Sequence, residues 1–215
     1  MHSVTRKLAL LAMMLVVLVW SAKAEAITSP LIGYTQYKPG TNIAASRMDP
    51  TKALTYDATY DDKPLANGSP NFVSLGFGGS IILTVLGGYS IANGDGADFT
   101  LFETTYDGNA DKWKKYKETA RVYAYDGQYD GGNAWVELGL AKQDGVFNLG
   151  NLSFTTAIMI VDVSREFKFK GSGDGYDVDG VVIHNIGNPV PIPGAALLLG
   201  SGLLGLVGLR RRQIV

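Results

Sequence analysis

Residues 80–85 read Ser-Ile-Ile-Leu-Thr-Val, residues 99–103 read Phe-Thr-Leu-Phe-Glu, and residues 157–163 read Ala-Ile-Met-Ile-Val-Asp-Val. Each run is short and rich in β-branched or aromatic residues, which is typical of strands that pack into a core. The three runs therefore predict a domain built from β-strands.

Four further runs continue this pattern, at residues 119–125, 134–138, 146–149 and 178–184. Segments rich in Gly, Asn and Asp separate them, as expected of turns between strands. Residues 27–66 are more polar, and there the sequence predicts loops with one or two short strands, one near residues 53–59. Because no helix longer than two turns is predicted in the domain, the pattern favours an all-β antiparallel sandwich.

The first 26 residues have the pattern of a cleaved secretory signal. Arg6 and Lys7 precede an apolar run at residues 8–20, and two Ala-x-Ala sites follow at residues 22–26. Such a segment is an export signal and is removed from the mature chain. The alternative is an uncleaved anchor helix, but a run of 13 residues is short for a bilayer.

The last 26 residues, 190–215, form a second apolar segment. Residues 190–209 are long enough to cross a bilayer as a helix, and Arg210, Arg211 and Arg212 follow. A basic cluster at the end of a span favours a cytoplasmic C-terminus. The sequence thus predicts an exported domain, at residues 27–189, that a C-terminal transmembrane helix holds in the membrane.

The tail resembles the PEP-CTERM sorting signals of Gram-negative bacteria. The matching residues are Val190, Pro191, Ile192 and Pro193, followed by the apolar span and the three arginines. Ile192 stands where the best-known form has Glu. The resemblance implies export by the cell's export machinery, removal of the tail by an exosortase-type transpeptidase, and delivery to the cell surface or beyond it.

Residues 70–184 resemble a jelly-roll domain common in exported bacterial proteins. Three segments match in order: residues 72–83, then Asp-Gly-Ala-Asp-Phe-Thr-Leu-Phe-Glu at 95–103, and Asp-Gly-Tyr-Asp-Val-Asp-Gly-Val at 174–181. The resemblance implies a galactose-binding-like or discoidin-like sandwich. Most members of this group have no assigned activity.

Composition excludes several classes of function. Residues 27–189 hold 13 basic and 19 acidic side chains, and this negative charge argues against nucleic-acid binding. The chain has no Cys, and His184 is the one histidine of the predicted domain. Zinc sites built on Cys and His and cysteine nucleophiles are therefore excluded.

Six acidic side chains are candidate ligands for Ca²⁺, which prefers carboxylate and carbonyl oxygens. Asp177 and Asp179 are expected on the face of Val181 and Ile183, where unpaired carboxylates would be costly. Glu103 is expected to point inward at the end of its strand. If these strands are neighbours, the acids could converge. The predicted ligands are Asp95, Asp98, Glu103, Asp174, Asp177 and Asp179.

Two simpler readings of the same acids stay open. The Asp residues could cap backbone N–H groups in turns. Glu103 could form an ion pair with Arg121. Paired carboxylates also raise the alternative of a secreted hydrolase that acts on glycans, although a small sandwich offers little room for a long substrate cleft.

Aromatic residues in polar segments are candidate contacts for sugar rings, because Tyr and Trp combine a flat apolar face with a polar edge. The predicted ligand-binding residues are Trp113, Tyr116 and Tyr129. The simpler reading is that each ring covers its own core. Together these observations predict a non-enzymatic surface or matrix protein that associates with extracellular polysaccharide. A purely structural surface protein is the third alternative.

Overall fold

The computed structural model describes residues 32–62, 64–104, 118–167 and 173–187. The predicted signal helix and the predicted transmembrane helix lie outside these ranges. Within them, no helix is both long and apolar enough to cross a membrane.

The described chain is almost entirely strands, turns and short 3₁₀ segments, which confirms the predicted all-β class. Every pair of strands runs antiparallel. The strands are β1 Ile32–Lys38, β2 Val73–Ser74, β3 Ser80–Val85, β4 Ser90–Ala92, β5 Phe99–Glu103, β6 Ala120–Tyr125, β7 Trp135–Ala141, β8 Gly145–Phe147, β9 Phe154–Thr155, β10 Ala157–Asp162, β11 Asp177–Ile183 and β12 Ile186–Gly187.

Two larger sheets form the sandwich. The five-stranded sheet has the order β1-β3-β10-β6-β7, and the four-stranded sheet has the order β2-β11-β5-β8. A three-stranded sheet, β12-β4-β9, lies beside them. The chain passes repeatedly from one large sheet to the other, as after β5, β7 and β10, and this winding is consistent with the predicted jelly roll.

One apolar core joins the two large sheets. Ile81, Val122 and Ile160 from the five-stranded sheet pack in the same cluster as Phe99 and Val181 from the other. The first three are completely buried. Alternation along each strand places these side chains inward, so the strand pattern of the sequence and the core agree.

The strand predicted near residues 53–59 is wrong. Residues Pro50–Leu54 form a 3₁₀ helix instead, and the Asp49 carboxylate caps it by accepting a 3.0 Å hydrogen bond from the Thr51 N–H. Proline at the first helical position has a fitting φ and needs no hydrogen-bond partner there. This segment packs against β11, β1 and β2 and covers part of the four-stranded sheet.

A β-bulge in β11 corrects the predicted direction of two acidic side chains. The register with β5 shifts between Val178 and Gly180. A bulge adds one residue to one strand and so changes which side chains share a face. Val178, Val181 and Ile183 therefore all lie in the core, whereas Asp177 and Asp179 are buried outside it.

The sandwich has two ends, which are defined here by the first and the last residue of β6. At the first end, Ala120 begins β6 opposite Asp162, the last residue of β10. At the second end, Tyr125 closes β6 beside Trp135, the first residue of β7. Ile32 also lies at the second end, opposite Val85 at the end of β3.

Candidate functional site

An acidic cluster, called here the Arg47 cluster, lies at the first end. Arg47 Nη1 donates to both carboxylate oxygens of Asp174, at 3.0 and 2.9 Å, and lies 4.0 Å from Asp177 Oδ2. Glu103 and Glu118 complete the cluster, since both interact electrostatically with Asp177. The cluster thus holds one guanidinium and four carboxyl groups.

The pKa values in the Arg47 cluster follow from burial and from this excess of acid. Burial raises the pKa of Asp177 well above its ordinary value, and the neighbouring Asp174 and Glu103 carboxyls raise it further. Burial likewise raises the pKa of Glu118 to about 9, with Asp177 and Asp174 adding to the effect and Arg47 opposing it. Glu118 therefore keeps its proton at neutral pH, which reduces the repulsion within the cluster.

Asp179 belongs to a separate group, called here the Asp179 cluster. Asn71 Nδ2 donates 3.0 Å to Asp179 Oδ1 and 2.8 Å to the Tyr60 carbonyl oxygen. Asp179 Oδ2 and Asn71 Oδ1 are both buried, and neither has a hydrogen-bond partner among the described residues. Burial and then Asp61 and Asp62, with further Asp side chains, raise the pKa of Asp179 to about 7.

Asp98 is a structural carboxylate rather than part of either cluster. It is completely buried, and Oδ1 accepts hydrogen bonds from the Gly94 N–H at 2.8 Å and from Asn185 Nδ2 at 2.9 Å. Oδ2 accepts from the Leu149 N–H at 2.7 Å. Asp95, three residues earlier, is exposed. The capped-turn reading therefore describes Asp98.

The structure brings together three of the six predicted metal ligands, Glu103, Asp174 and Asp177, and separates the others. The predicted convergence of Asp98 and Asp179 with them is wrong, because the bulge in β11 and the turn before β5 direct these two side chains elsewhere. Across the described residues, no group of three or more His, Cys, Asp or Glu side chains is arranged to hold a metal ion.

The predicted alternative of a Glu103–Arg121 ion pair is also wrong. Arg121 lies on the outer face of the five-stranded sheet, where its guanidinium is 2.9 Å from Glu166 Oε2 and 3.5 Å from Glu137 Oε1. Glu103, in contrast, is buried at the end of β5 in the other sheet.

An aromatic corner, formed by Tyr125, Tyr129 and Trp135, lies at the second end. The Tyr125 ring makes edge contacts with Tyr129 at 5.0 Å and with Trp135 at 5.1 Å between centroids, and Tyr129 and Trp135 lie 5.4 Å apart. The Tyr125 hydroxyl is bonded to Asp130. Tyr129 and Trp135 are half-buried, so their exposed parts form an apolar surface bordered by exposed polar residues of 126–134.

Several predicted functional residues lie outside the described ranges. They are Trp113, Tyr116, Val190, Pro191, Ile192, Pro193, Arg210, Arg211 and Arg212. Of the predicted sugar contacts, Tyr129 alone belongs to the aromatic corner. Thr104 and Glu118, which flank the segment holding Trp113 and Tyr116, lie at the first end.

Sequence reasoning did not identify Arg47, Glu118 or Trp135 as site residues. Arg47 and Asp174 are 127 positions apart, and nothing in their local sequences links them. The sequence did contain a signal for Trp135. Two predicted strands joined by a polar loop imply a hairpin, and this hairpin sets Trp135 opposite Tyr125.

No protein-family model matches the chain, and no curated protein matches it. Among solved structures, the family 32 carbohydrate-binding module of Streptococcus pneumoniae EndoD is similar over 73% of this chain and 97% of that chain, with 10% identity and a TM-score of 0.46. The C-terminal domain of a chitobiase from Bacteroides fragilis is similar over 76% and 100%, with 13% identity and a TM-score of 0.41.

An allantoicase structure is similar over 75% of this chain, with 10% identity and a TM-score of 0.44. The present chain spans 47% of that chain's length. At these identities and TM-scores, no residue and no activity of these proteins is carried over to this chain.

Proposed function

We propose that the chain is an exported, non-catalytic protein that binds neutral polysaccharide at the cell surface or in the extracellular matrix. The observation that carries this proposal is the aromatic corner. Tyr129 and Trp135 expose parts of two rings 5.4 Å apart, and Tyr125 holds both in place from below. Fixed rings lose little entropy on binding, and their faces suit the apolar C–H faces of sugars.

The surroundings of the aromatic corner supply the polar half of such a site. Gln128, Asp130 and Asn133 are exposed in the loop between β6 and β7. The Tyr129 N–H donates 2.7 Å to Thr156 Oγ1, and the Gly132 N–H donates 2.8 Å to Asp130 Oδ1. The loop therefore keeps a defined shape, with amide groups that can bind sugar hydroxyls at its surface.

The test of this site is a calorimetric titration of the full-length protein with neutral β-linked hexasaccharides of glucose, xylose and N-acetylglucosamine. We expect at least one to bind, and we expect Trp135→Ala to weaken it about tenfold or more, since buried aromatic anchors dominate such contacts. Tyr34→Ala is the matched control, because Tyr34 is an exposed aromatic residue on β1. Equal losses in both variants, or no binding of any hexasaccharide, would contradict the proposal.

The alternative of a glycan hydrolase requires two carboxyl groups open to the substrate. Asp177 and Asp174 of the Arg47 cluster do not have this access, because Asp177 is 4% exposed and Asp174 is held by Arg47. Chromatography of the hexasaccharides after incubation with the protein tests the alternative directly. Shortened products that depend on either carboxylate would favour the hydrolase.

Ca²⁺ is part of this proposal as a stabilising ion, and the Asp179 cluster is its expected place. Asp179 Oδ2 and Asn71 Oδ1 are buried oxygen acceptors without donors among the described residues, in acidic surroundings. The Arg47 cluster already contains a cation. Oxygen atoms are the ligands that Ca²⁺ prefers, with water completing its shell.

We expect Ca²⁺ at 100 times its dissociation constant to raise the free energy of unfolding by about 2.7 kcal/mol. Thermal unfolding with Ca²⁺ and with chelator measures this gain. Asp179→Asn is expected to abolish the gain, and Asp177→Asn, the matched change in the Arg47 cluster, is expected to keep it. A gain that survives Asp179→Asn would place the ion elsewhere, and no gain would exclude a stabilising Ca²⁺.

Export and sorting complete the proposal and rest on the sequence alone. The signal at residues 1–26 would direct the chain out of the cytoplasm of a Gram-negative bacterium. The tail from Val190 would hold it in the membrane until an exosortase-type enzyme removed that segment.

A further inference from the structure

A second concave feature lies at the first end of the sandwich, opposite the aromatic corner. It is a pocket of about 260 Å³, lined by residues that include Thr41, Phe77, Gly78, Asp162, Arg165 and Glu166. Pockets for drug-sized ligands are larger, about 300–1,000 Å³, so this one matches a single small ring. We call it the Arg165 pocket.

The walls of the Arg165 pocket are fixed by backbone hydrogen bonds. The Phe77 N–H donates 3.0 Å to the Thr41 carbonyl oxygen, and the Thr41 N–H donates 3.2 Å to the Phe77 carbonyl oxygen. The Gly79 N–H donates 3.0 Å to the Gly76 carbonyl oxygen. Gly78 has φ +75, and a Cβ there would meet no atom within 4 Å, so the backbone at the rim is open. The pocket is therefore preformed, and binding would need little reordering.

Arg165 supplies a positive charge to this pocket. Its guanidinium carbon lies 4.5 Å from the centroid of the Phe77 ring. A guanidinium stacked on an aromatic ring keeps its N–H donors, which lie in its plane, available for a ligand. Within the described part of the chain, no carboxylate forms an ion pair with Arg165.

The two acidic residues of the pocket are engaged elsewhere. Glu166 pairs with Arg121 at 2.9 Å. Asp162 accepts hydrogen bonds from the Gly78 N–H at 3.0 Å, from the Ser164 hydroxyl at 2.5 Å and from the Tyr176 N–H at 2.9 Å. Both keep lone pairs that can accept from hydroxyl groups, but neither neutralises Arg165.

We propose that the Arg165 pocket binds one carboxylated sugar unit, a uronate, of an acidic polysaccharide. The planar carboxylate would pair with the guanidinium of Arg165, which matches it in a two-pronged geometry. The ring hydroxyls would donate to the carboxylate oxygens of Glu166, which also lines the pocket. This site goes beyond the proposed function, because it lies at the other end of the molecule and takes a charged ligand.

The test is a titration of the full-length protein with trigalacturonic acid and with its methyl ester, which has the same rings without the charges. We expect the acid to bind and the ester to bind at least tenfold more weakly. Arg165→Met keeps the length of the side chain over Phe77 and is expected to weaken acid binding at least tenfold. Arg165→Lys keeps the charge but loses the paired geometry, so its affinity for the acid is expected to lie between those of the original protein and of Arg165→Met.

Trp135→Ala separates this proposal from the proposed function, since it is expected to leave acid binding unchanged while it weakens neutral glycans. A well-folded Arg165→Met variant, with an unchanged unfolding midpoint, that binds the acid as tightly as the original would overturn the proposal. Equal affinity for acid and ester, no binding of the acid, or competition by acetate at equal concentration would overturn it as well.

Discussion

Replacing Asp98 by Ala is expected to lower the free energy of unfolding by about 3–5 kcal/mol, because three donors, one buried and two half-buried, lose their acceptor at once. These donors are the N–H groups of Gly94 and Leu149 and the side-chain amide of Asn185. Leaving a buried donor unpaired costs about 1–3 kcal/mol each. Asp98 thereby ties together three loops at the second end of the sandwich. Urea unfolding of the two proteins measures the difference.

Asp95→Ala is the matched control for this change, since Asp95 is exposed in the same turn and its loss is expected to change stability by no more than about 0.5 kcal/mol. Asp98→Asn should fall between the two, because an amide keeps one acceptor oxygen and sets an N–H₂ group against a donor. The structural role would be refuted if chelator destabilised the original protein as much as Asp98→Ala does, and left the variant unchanged.

The protein is expected to lose stability as the pH rises from 5 to 8, by about 1–3 kcal/mol. The cause is the Arg47 cluster, in which the pKa of Glu118 is raised from 4.5 to about 9, first by burial and then by Asp177 and Asp174. Between these two values, the folded chain holds a proton that the unfolded chain has released. Each rise in pH therefore lowers the free energy of the unfolded state relative to that of the folded state.

Asp49 and Asp57 make the protein less stable as the pH falls, but only below the range from pH 5 to 8. Hydrogen bonds from Thr51 and Thr59 lower their pKa values, so their contribution is lost only when the pH falls below about 4. Urea midpoints at pH 5, 6.5 and 8, measured with chelator present, therefore report the raised carboxyls.

Glu118→Gln is expected to reduce the slope of stability against pH, since the amide cannot ionise. Glu137→Gln is the matched control, because Glu137 is exposed on β7 and is expected to leave the slope unchanged. A slope that is the same in Glu118→Gln as in the original protein would show that this carboxyl does not titrate as the structure implies.

Much of the fold could be predicted from local sequence, because buried strands are short runs rich in β-branched and aromatic residues. The runs at residues 80–85 and 99–103 coincide with β3 and β5, and the run at 157–163 differs from β10 by one residue. β1 was harder to predict, since four of its seven residues are exposed and the alternation is lost. Pro50 begins a 3₁₀ helix that ends at Leu54, where a strand had been predicted to start near residue 53.

The arrangement of the acidic side chains could not be predicted, because it depends on features without a local signal. The bulge at Asp179 reverses the face of two residues, and simple alternation had assigned them to the core. The partner of Asp174 comes from a segment 127 positions away. Composition could show an excess of acid but could not show that the acids would form two separate clusters, of which one contains an arginine.

The placement of the aromatic corner and of the Arg165 pocket determines how a single copy of the protein would act in a matrix. The aromatic corner and the Arg165 pocket lie at opposite ends of strands of six or seven residues, which span about 20 Å. A molecule that held a neutral strand at one end and an acidic strand at the other would act as a cross-linker between unlike polymers. Its presence would then stiffen a mixed gel, whereas a coating protein with one site would leave the gel's elasticity unchanged.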